Sequence, residues 1–168
     1  MNKEQLLNSM VHEVRVAQHL HSKLPAGCAD WRPTPGQRST LELLRYLGIA
    51  GLRMGHAVVG GSFESGKEFG EKAKTMSWEG FPAVMDAQAE GLKKLISGIS
   101  DKDYEGKIVD LPPIGKGPIG EMLVNTSLKF LTAYRMQLFL YAKMNGAAAL
   151  DTWDCWRGVA NPQKAAAK

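Results

Sequence analysis

The sequence predicts an all-α protein, a four-helix bundle, from the spacing of its apolar residues and the placement of glycine and proline. Residues 1–24 and 121–145 contain neither glycine nor proline. In both stretches the apolar residues recur every three to four positions, as on one face of a helix. Two segments between them, starting at Ser39 and near Ser77, share this period. Four amphipathic helices bury their apolar faces best against one another.

End signals and apolar stripes define the four predicted helices in order. Ser39 and Glu42 have the spacing of a capping box, which starts the second helix. Pro82 fits awkwardly into the first turn of a helix that starts near Ser77, so the start of the third helix is less well defined than its stripe. Asn145 and Gly146 end the fourth helix. The stripes are Leu6, Met10, Val14, Ala17 and His21; Leu44, Leu47, Gly51, Met54 and Val58; Val84, Gln88, Gly91, Leu92, Leu95 and Ile99; and Leu123, Ser127, Leu131, Tyr134 and Leu138, widened by Phe130 and Tyr141.

Polar stretches rich in glycine and proline predict the loops, at 23–38, 60–76 and 101–118. Residues 107–111 (KIVDL) form a short extended piece at most, and we expect no strand pair. No repeat or shift in composition divides the 168 residues, so we expect one domain over 1–168 with a flexible tail from 161.

Composition excludes several classes of protein. The chain is 44% hydrophobic, with 21 basic and 17 acidic residues interleaved along it. This pattern is typical of a globular protein with a solvated surface and argues against nucleic-acid binding. No window is long and apolar enough to cross a membrane, and residues 1–16 lack the apolar core of a signal peptide. With two cysteines, Cys28 and Cys155, interpreted as inert thiols, we expect a cytoplasmic protein.

Three local motifs are interpreted as structural. Residues 61–67 match GxxxxGK, but Glu68 would repel phosphate and no strand precedes the motif. The glycine-rich stretch 112–121 is typical of an entry into a helix. The four histidines, which include no i, i+4 pair, do not predict a metal site; they are His12, His19, His21 and His56.

Three passages of the chain carry a family resemblance. Residues 31–47 (WRPTPGQRSTLELLRYL) combine Trp, prolines and Gly with a Ser and Glu cap; residues 125–146 contain Arg135 and Gln137; residues 151–158 (DTWDCWRG) form an aromatic ending. In this order they resemble the DinB-like family of metal-dependent helical enzymes, which includes bacterial thiol transferases. The resemblance covers nearly the whole chain. It implies a four-helix bundle with a metal cleft at one end, often as a homodimer.

The resemblance also implies where the metal ligands would lie. The family places one histidine on helix two, seven residues after the cap serine, and two on helix four. On this chain those positions fall on Tyr46, Phe130 and Tyr134. Phenylalanine has no ligating atom, and a tyrosine with a pKa near 10 is an uncommon ligand. We therefore expect neither the family's divalent metal, such as Zn or Ni, nor another cofactor.

The same positions suggest a candidate pocket. Phe130 and Tyr134 share a helical face by their i, i+4 spacing, and we expect Tyr46 opposite them, with Glu42 one turn before it and Gln137 further along helix four. Two interpretations remain open. The aromatic residues fill a former metal cavity and stabilise the bundle, or they line a pocket whose phenols recognise a small molecule.

The predicted function is a DinB-like binding or homodimeric interaction protein without catalytic activity. The alternative is an enzyme of the family, a thiol-dependent transferase or hydrolase. It would use other metal ligands, or Tyr46 and Tyr134 as acid–base groups.

Overall fold

A computed structural model describes residues 1–25 and 27–165 and is predominantly helical, as the sequence predicts. The predicted tail from 161 is described as far as 165, where it forms a short helix, and 166–168 lie outside the described residues. The elements are α1 (Lys3–His21), α2 (Thr40–Gly60), a 3₁₀ turn (Phe63–Gly66), α3 (Lys67–Ala73), α4 (Phe81–Ser97), α5 (Asp101–Gly106), β1 (Ile108–Leu111), β2 (Gly115–Pro118), α6 (Ile119–Leu123), a π turn (Val124–Leu128), α7 (Lys129–Met144), a second π turn (Trp153–Arg157) and α8 (Pro162–Ala165).

Helices α1 and α2 both begin with a capping box. The predicted box at α2 is confirmed: the Ser39 hydroxyl accepts the Glu42 amide at 3.3 Å, and the Glu42 carboxylate accepts the Ser39 amide at 2.7 Å. Asn2 and Gln5 form the corresponding pair at α1. Helix α2 ends at Gly60 and is capped by Gly61, whose φ of 66° is a left-handed conformation that glycine adopts at little cost.

The third long helix, α4, begins at Phe81 rather than near Ser77, and it ends at Ser97, before Ile99, the last residue of the predicted stripe. Pro82 explains the later start. It lies in the first turn, where its missing N–H is not needed by the helix, whereas a start at Ser77 would place the proline one turn deeper.

The long loops predicted at 60–76 and 101–118 contain regular structure. The first holds the 3₁₀ turn and α3, and the second holds α5 and an antiparallel hairpin of β1 with β2. The expectation of no strand pair is therefore wrong. Val109 and Leu111 of β1 are buried in the core, and Val109 pairs with Gly117 of β2. The sequence of β2, Gly-Lys-Gly-Pro, has almost no β propensity, so it does not predict a strand.

The four long helices enclose the core. Helices α1 and α2 each pack against both α4 and α7. One buried polar side chain links two of these helices: the Gln88 carbonyl oxygen accepts the amides of Gly51 and Leu52 at 2.9 and 3.2 Å, and its amide donates to the Leu47 carbonyl at 3.0 Å. Gln88 therefore fixes α4 against the middle of α2.

Candidate functional site

The three aromatic residues at the expected ligand positions meet in the structure. The rings of Tyr46 and Tyr134 lie edge to face with centroids 4.6 Å apart, and Phe130 lies 5.9 Å from Tyr134. All three are half-buried at the contact of α2 with α7. The Arg38 guanidinium covers this aromatic cluster, 4.3 Å from the centre of the Tyr46 ring and 5.7 Å from that of Tyr134.

The environment of Tyr46 keeps its phenol protonated. Burial raises the pKa of Tyr46, the neighbouring Tyr134 phenol raises it further, and the nearby Arg38 charge opposes both effects only in part. At neutral pH the side chain is therefore a hydrogen-bond donor and not a phenolate.

This set of side chains does not fit a divalent metal. Phe130 has no donor atom, and a tyrosine binds metal well only once its proton is lost, which the raised pKa of Tyr46 opposes. Within residues 1–25 and 27–165, no group of three His, Cys, Asp or Glu side chains is arranged to hold an ion.

The other two predicted pocket residues have distinct structural roles. Glu42 belongs to the α2 cap and pairs with Arg32 at 3.4 Å, and the Ser39 amide holds the pKa of its carboxyl below the usual range. Gln137 donates to the Tyr141 hydroxyl at 2.9 Å, and that hydroxyl donates to the Arg38 carbonyl at 3.0 Å. Gln137 therefore supports the backbone of the residue that covers the rings.

A groove of about 410 Å³ lies between α2 and α3, beside the aromatic cluster. We name it the arginine groove after three of its lining side chains. Of the five predicted pocket residues, it contains Glu42 and Tyr46, while Phe130 and Tyr134 adjoin it through their contacts with Tyr46 and with each other. Its lining residues are Arg38, Glu42, Arg45, Tyr46, Ile49, Arg53, Gly70, Ala73 and Lys74.

The three arginines were missed by reasoning from the sequence. Two of them carried a signal: Arg45 and Arg53 are the only Asp, Glu, Lys or Arg residues in the largely apolar stretch 43–63, eight positions apart on one helix. Arg38 lies in a loop, where no period could place it above Tyr46.

The histidines and cysteines serve other contacts. His12 bonds the Trp156 carbonyl at 2.6 Å, and His19 bonds Asp154 at 2.8 Å, so both hold the C-terminal segment on α1. Burial raises the pKa of Cys28 and of Cys155, which keeps both side chains in the unreactive thiol form.

No helix in the described part of the chain is long and apolar enough to pass through a membrane. In comparisons with known proteins, no family model and no curated protein matches the chain.

Proposed function

We propose that this chain is a four-helix bundle of the DinB type that has exchanged the family's metal ligands for aromatic residues and binds a small molecule without catalysis. The observation that carries the proposal is the contact of Tyr46, Phe130 and Tyr134 beside an open groove. The groove gives a small molecule room to contact the Tyr46 ring at the edge of the cluster.

The packing of the long helices supports the bundle. Each of α1 and α2 contacts both α4 and α7, as neighbouring helices do around a shared four-helix core. The expected histidine positions of helices two and four also lie on facing sides of α2 and α7.

The chemistry of the site favours binding over acid–base catalysis. A general base needs a pKa near the working pH, and the pKa of Tyr46 is raised away from it. Both cysteine pKa values are raised as well, which disfavours a thiolate nucleophile. A protonated phenol and an arginine next to apolar surface are recognition groups.

We further propose that the protein is a cytoplasmic homodimer. Its two cysteines are free and buried, which agrees with the reducing environment of the cytoplasm. On α7, an exposed apolar face formed by Met136, Leu140 and Met144 supports self-association. We name this face the α7 stripe.

Elemental analysis of the untagged protein tests the absence of the metal. We expect zinc, nickel and iron well below one ion per chain, because the three positions offer no suitable donor set. A stoichiometric metal that is lost in the Tyr46→Phe/Tyr134→Phe variant would overturn the proposal and favour the enzyme.

Restoring the histidines tests the correspondence with the family. The triple variant Tyr46→His, Phe130→His and Tyr134→His should bind about one zinc per chain, since three imidazoles on facing helices suit a zinc site with one open position. A folded triple variant that takes up no more zinc than the unmodified protein would show that these positions were assigned wrongly.

A further inference from the structure

The arginine groove holds more positive charge than its own residues neutralise. Three guanidinium groups, from Arg38, Arg45 and Arg53, line it together with one carboxylate, Glu42. That carboxylate already accepts the Ser39 amide and pairs with Arg32. Lys74 at the rim is paired with Glu71 at 2.7 Å, so the excess comes from the arginines.

Arg53 is the centre of this excess. It is half-buried, and within residues 1–25 and 27–165 its side chain makes no hydrogen bond or ion pair. Gly70 of α3 faces it: a Cβ there would lie 3.6 Å from Nη1, so glycine leaves the guanidinium uncovered. A half-buried cation without a partner costs free energy that an incoming anion recovers.

The other two arginines are held in position with N–H groups to spare. Arg45 uses Nε to donate to the Met76 carbonyl at 2.9 Å, so its two terminal nitrogens are available to donate to a ligand. Arg38 stacks on the Tyr46 ring, and a stacked guanidinium keeps the donors at its edge available. Ile49 and Ala73 supply apolar surface in the same groove.

We propose that the arginine groove binds a small molecule through an oxyanion group, a carboxylate or a phosphate monoester, with a compact apolar body against Ile49, Ala73 and Tyr46. This inference rests on the proposed small-molecule function and names its ligand class. The guanidinium edges of Arg53 and Arg45 bind the oxyanion. Planar guanidinium groups match the paired oxygens of both anions.

Isothermal titration in a chloride buffer at low ionic strength tests the inference with three probes that share a phenyl ring: benzoate, phenyl phosphate and benzamide, which is the neutral counterpart of benzoate. At least one anion should bind about tenfold or more tightly than benzamide, because a charge-assisted pair is lost in the neutral compound. Which anion binds more tightly distinguishes carboxylate from phosphate as the natural group. Added salt should weaken binding of the anions by screening.

Two variants locate the site. Arg53→Gln should weaken the preferred anion about tenfold or more, whereas Lys93→Gln, an exposed change of equal charge on α4, should leave affinity within about twofold. Gly70→Leu should abolish binding without altering any charge, because its side chain would cover the Arg53 guanidinium. Circular dichroism confirms that each variant is folded.

The outcomes separate this inference from the proposed function. If benzamide binds as tightly as the anions and Arg53→Gln leaves the affinities unchanged, the ligand is not recognised through an oxyanion. The proposal of small-molecule binding would still stand. Anion binding unaffected by Arg53→Gln and Gly70→Leu would overturn this location. If none of the three probes binds, the oxyanion inference fails, while a stabilising neutral compound from a wider thermal-shift panel would still support the proposed function.

Discussion

Arg135 is an arginine inside the core, and its partners explain how the fold tolerates it. With 1% of its surface exposed, it donates from Nε to one Glu13 oxygen at 2.7 Å and from Nη2 to the other at 3.3 Å. Its Nη1 points to the Cys155 sulfur at 3.2 Å, and Trp156 lies over the guanidinium. One residue of α7 thereby joins α1 and the C-terminal segment.

Arg135→Met should destabilise the protein by about 3–5 kcal/mol, because it leaves the Glu13 carboxylate buried without its partner. The double variant Glu13→Met/Arg135→Met should recover most of that loss, since it removes both charges. Urea unfolding of Arg135→Met, Glu13→Met and the double variant measures the coupling free energy between the two side chains.

Arg157→Met serves as the control, because Arg157 is exposed and stacks on Trp153; its effect should stay within about 0.5 kcal/mol. Losses that simply add in the double variant would contradict the buried pair.

The aromatic part of the candidate site was reached from the sequence through the family resemblance, and the charged part was missed. The i, i+4 spacing places Phe130 and Tyr134 on one face of a helix, which is a local property. The approach of Arg38 to Tyr46 depends on how a loop of irregular backbone returns to α2, and no spacing encodes that path. Arg53 could have been noticed as a charge without a partner on an apolar helix.

At the scale of elements, the helices follow from local chemistry. Ser39 and Glu42 fix the start of α2 by hydrogen bonds three residues apart. The hairpin was missed because β2 consists of Gly115, Lys116, Gly117 and Pro118, and its pairing with β1 comes from tertiary context rather than propensity. The fourth helix was predicted as one run, but it contains a π turn at Val124–Leu128 that places Thr126 and Ser127 both in the core.

The close contact of α2 with α7 depends on Gly51. A Cβ at this position would lie 2.7 Å from Leu131 Cδ1 and 2.9 Å from its Cγ. Gly51→Ala should therefore cost about 1–3 kcal/mol by overpacking, although alanine favours a helix. Thermal and urea unfolding measure the loss.

Gly70→Ala is the matched control within α3, where the added Cβ meets Arg53 only at ordinary contact distance. Its helix propensity should stabilise the protein by up to about 1 kcal/mol. If both substitutions stabilise, the packing at Gly51 is looser than the structure implies.

For the whole molecule, the α7 stripe is the surface on which the proposed homodimer depends. Met136, Leu140 and Met144 are 39%, 48% and 62% exposed, and Trp156 nearby is 55% exposed. A twofold axis crossing α7 would pair each stripe with its copy, as symmetric dimers do.

Light scattering after size exclusion should give about twice the 18.4 kDa chain mass, and Leu140→Lys should give the mass of a single chain, because it buries an unpaired charge at the interface. Ile108→Lys, at a residue 54% exposed on β1, should leave the dimer intact. A monomeric unmodified protein at micromolar concentration would contradict the homodimer.

The Gln88 side chain holds in place the helix that lines the arginine groove, and this affects the free energy of ligand binding. It hydrogen-bonds three backbone groups of α2, the Leu47 carbonyl and the amides of Gly51 and Leu52. Sliding α4 along α2 would therefore leave buried polar groups without hydrogen-bond partners. Arg45, Tyr46 and Arg53 project from that same helix on either side of the bound turn. The α2 wall of the groove is thus set when the chain folds, and a ligand spends little of its binding free energy on ordering that wall.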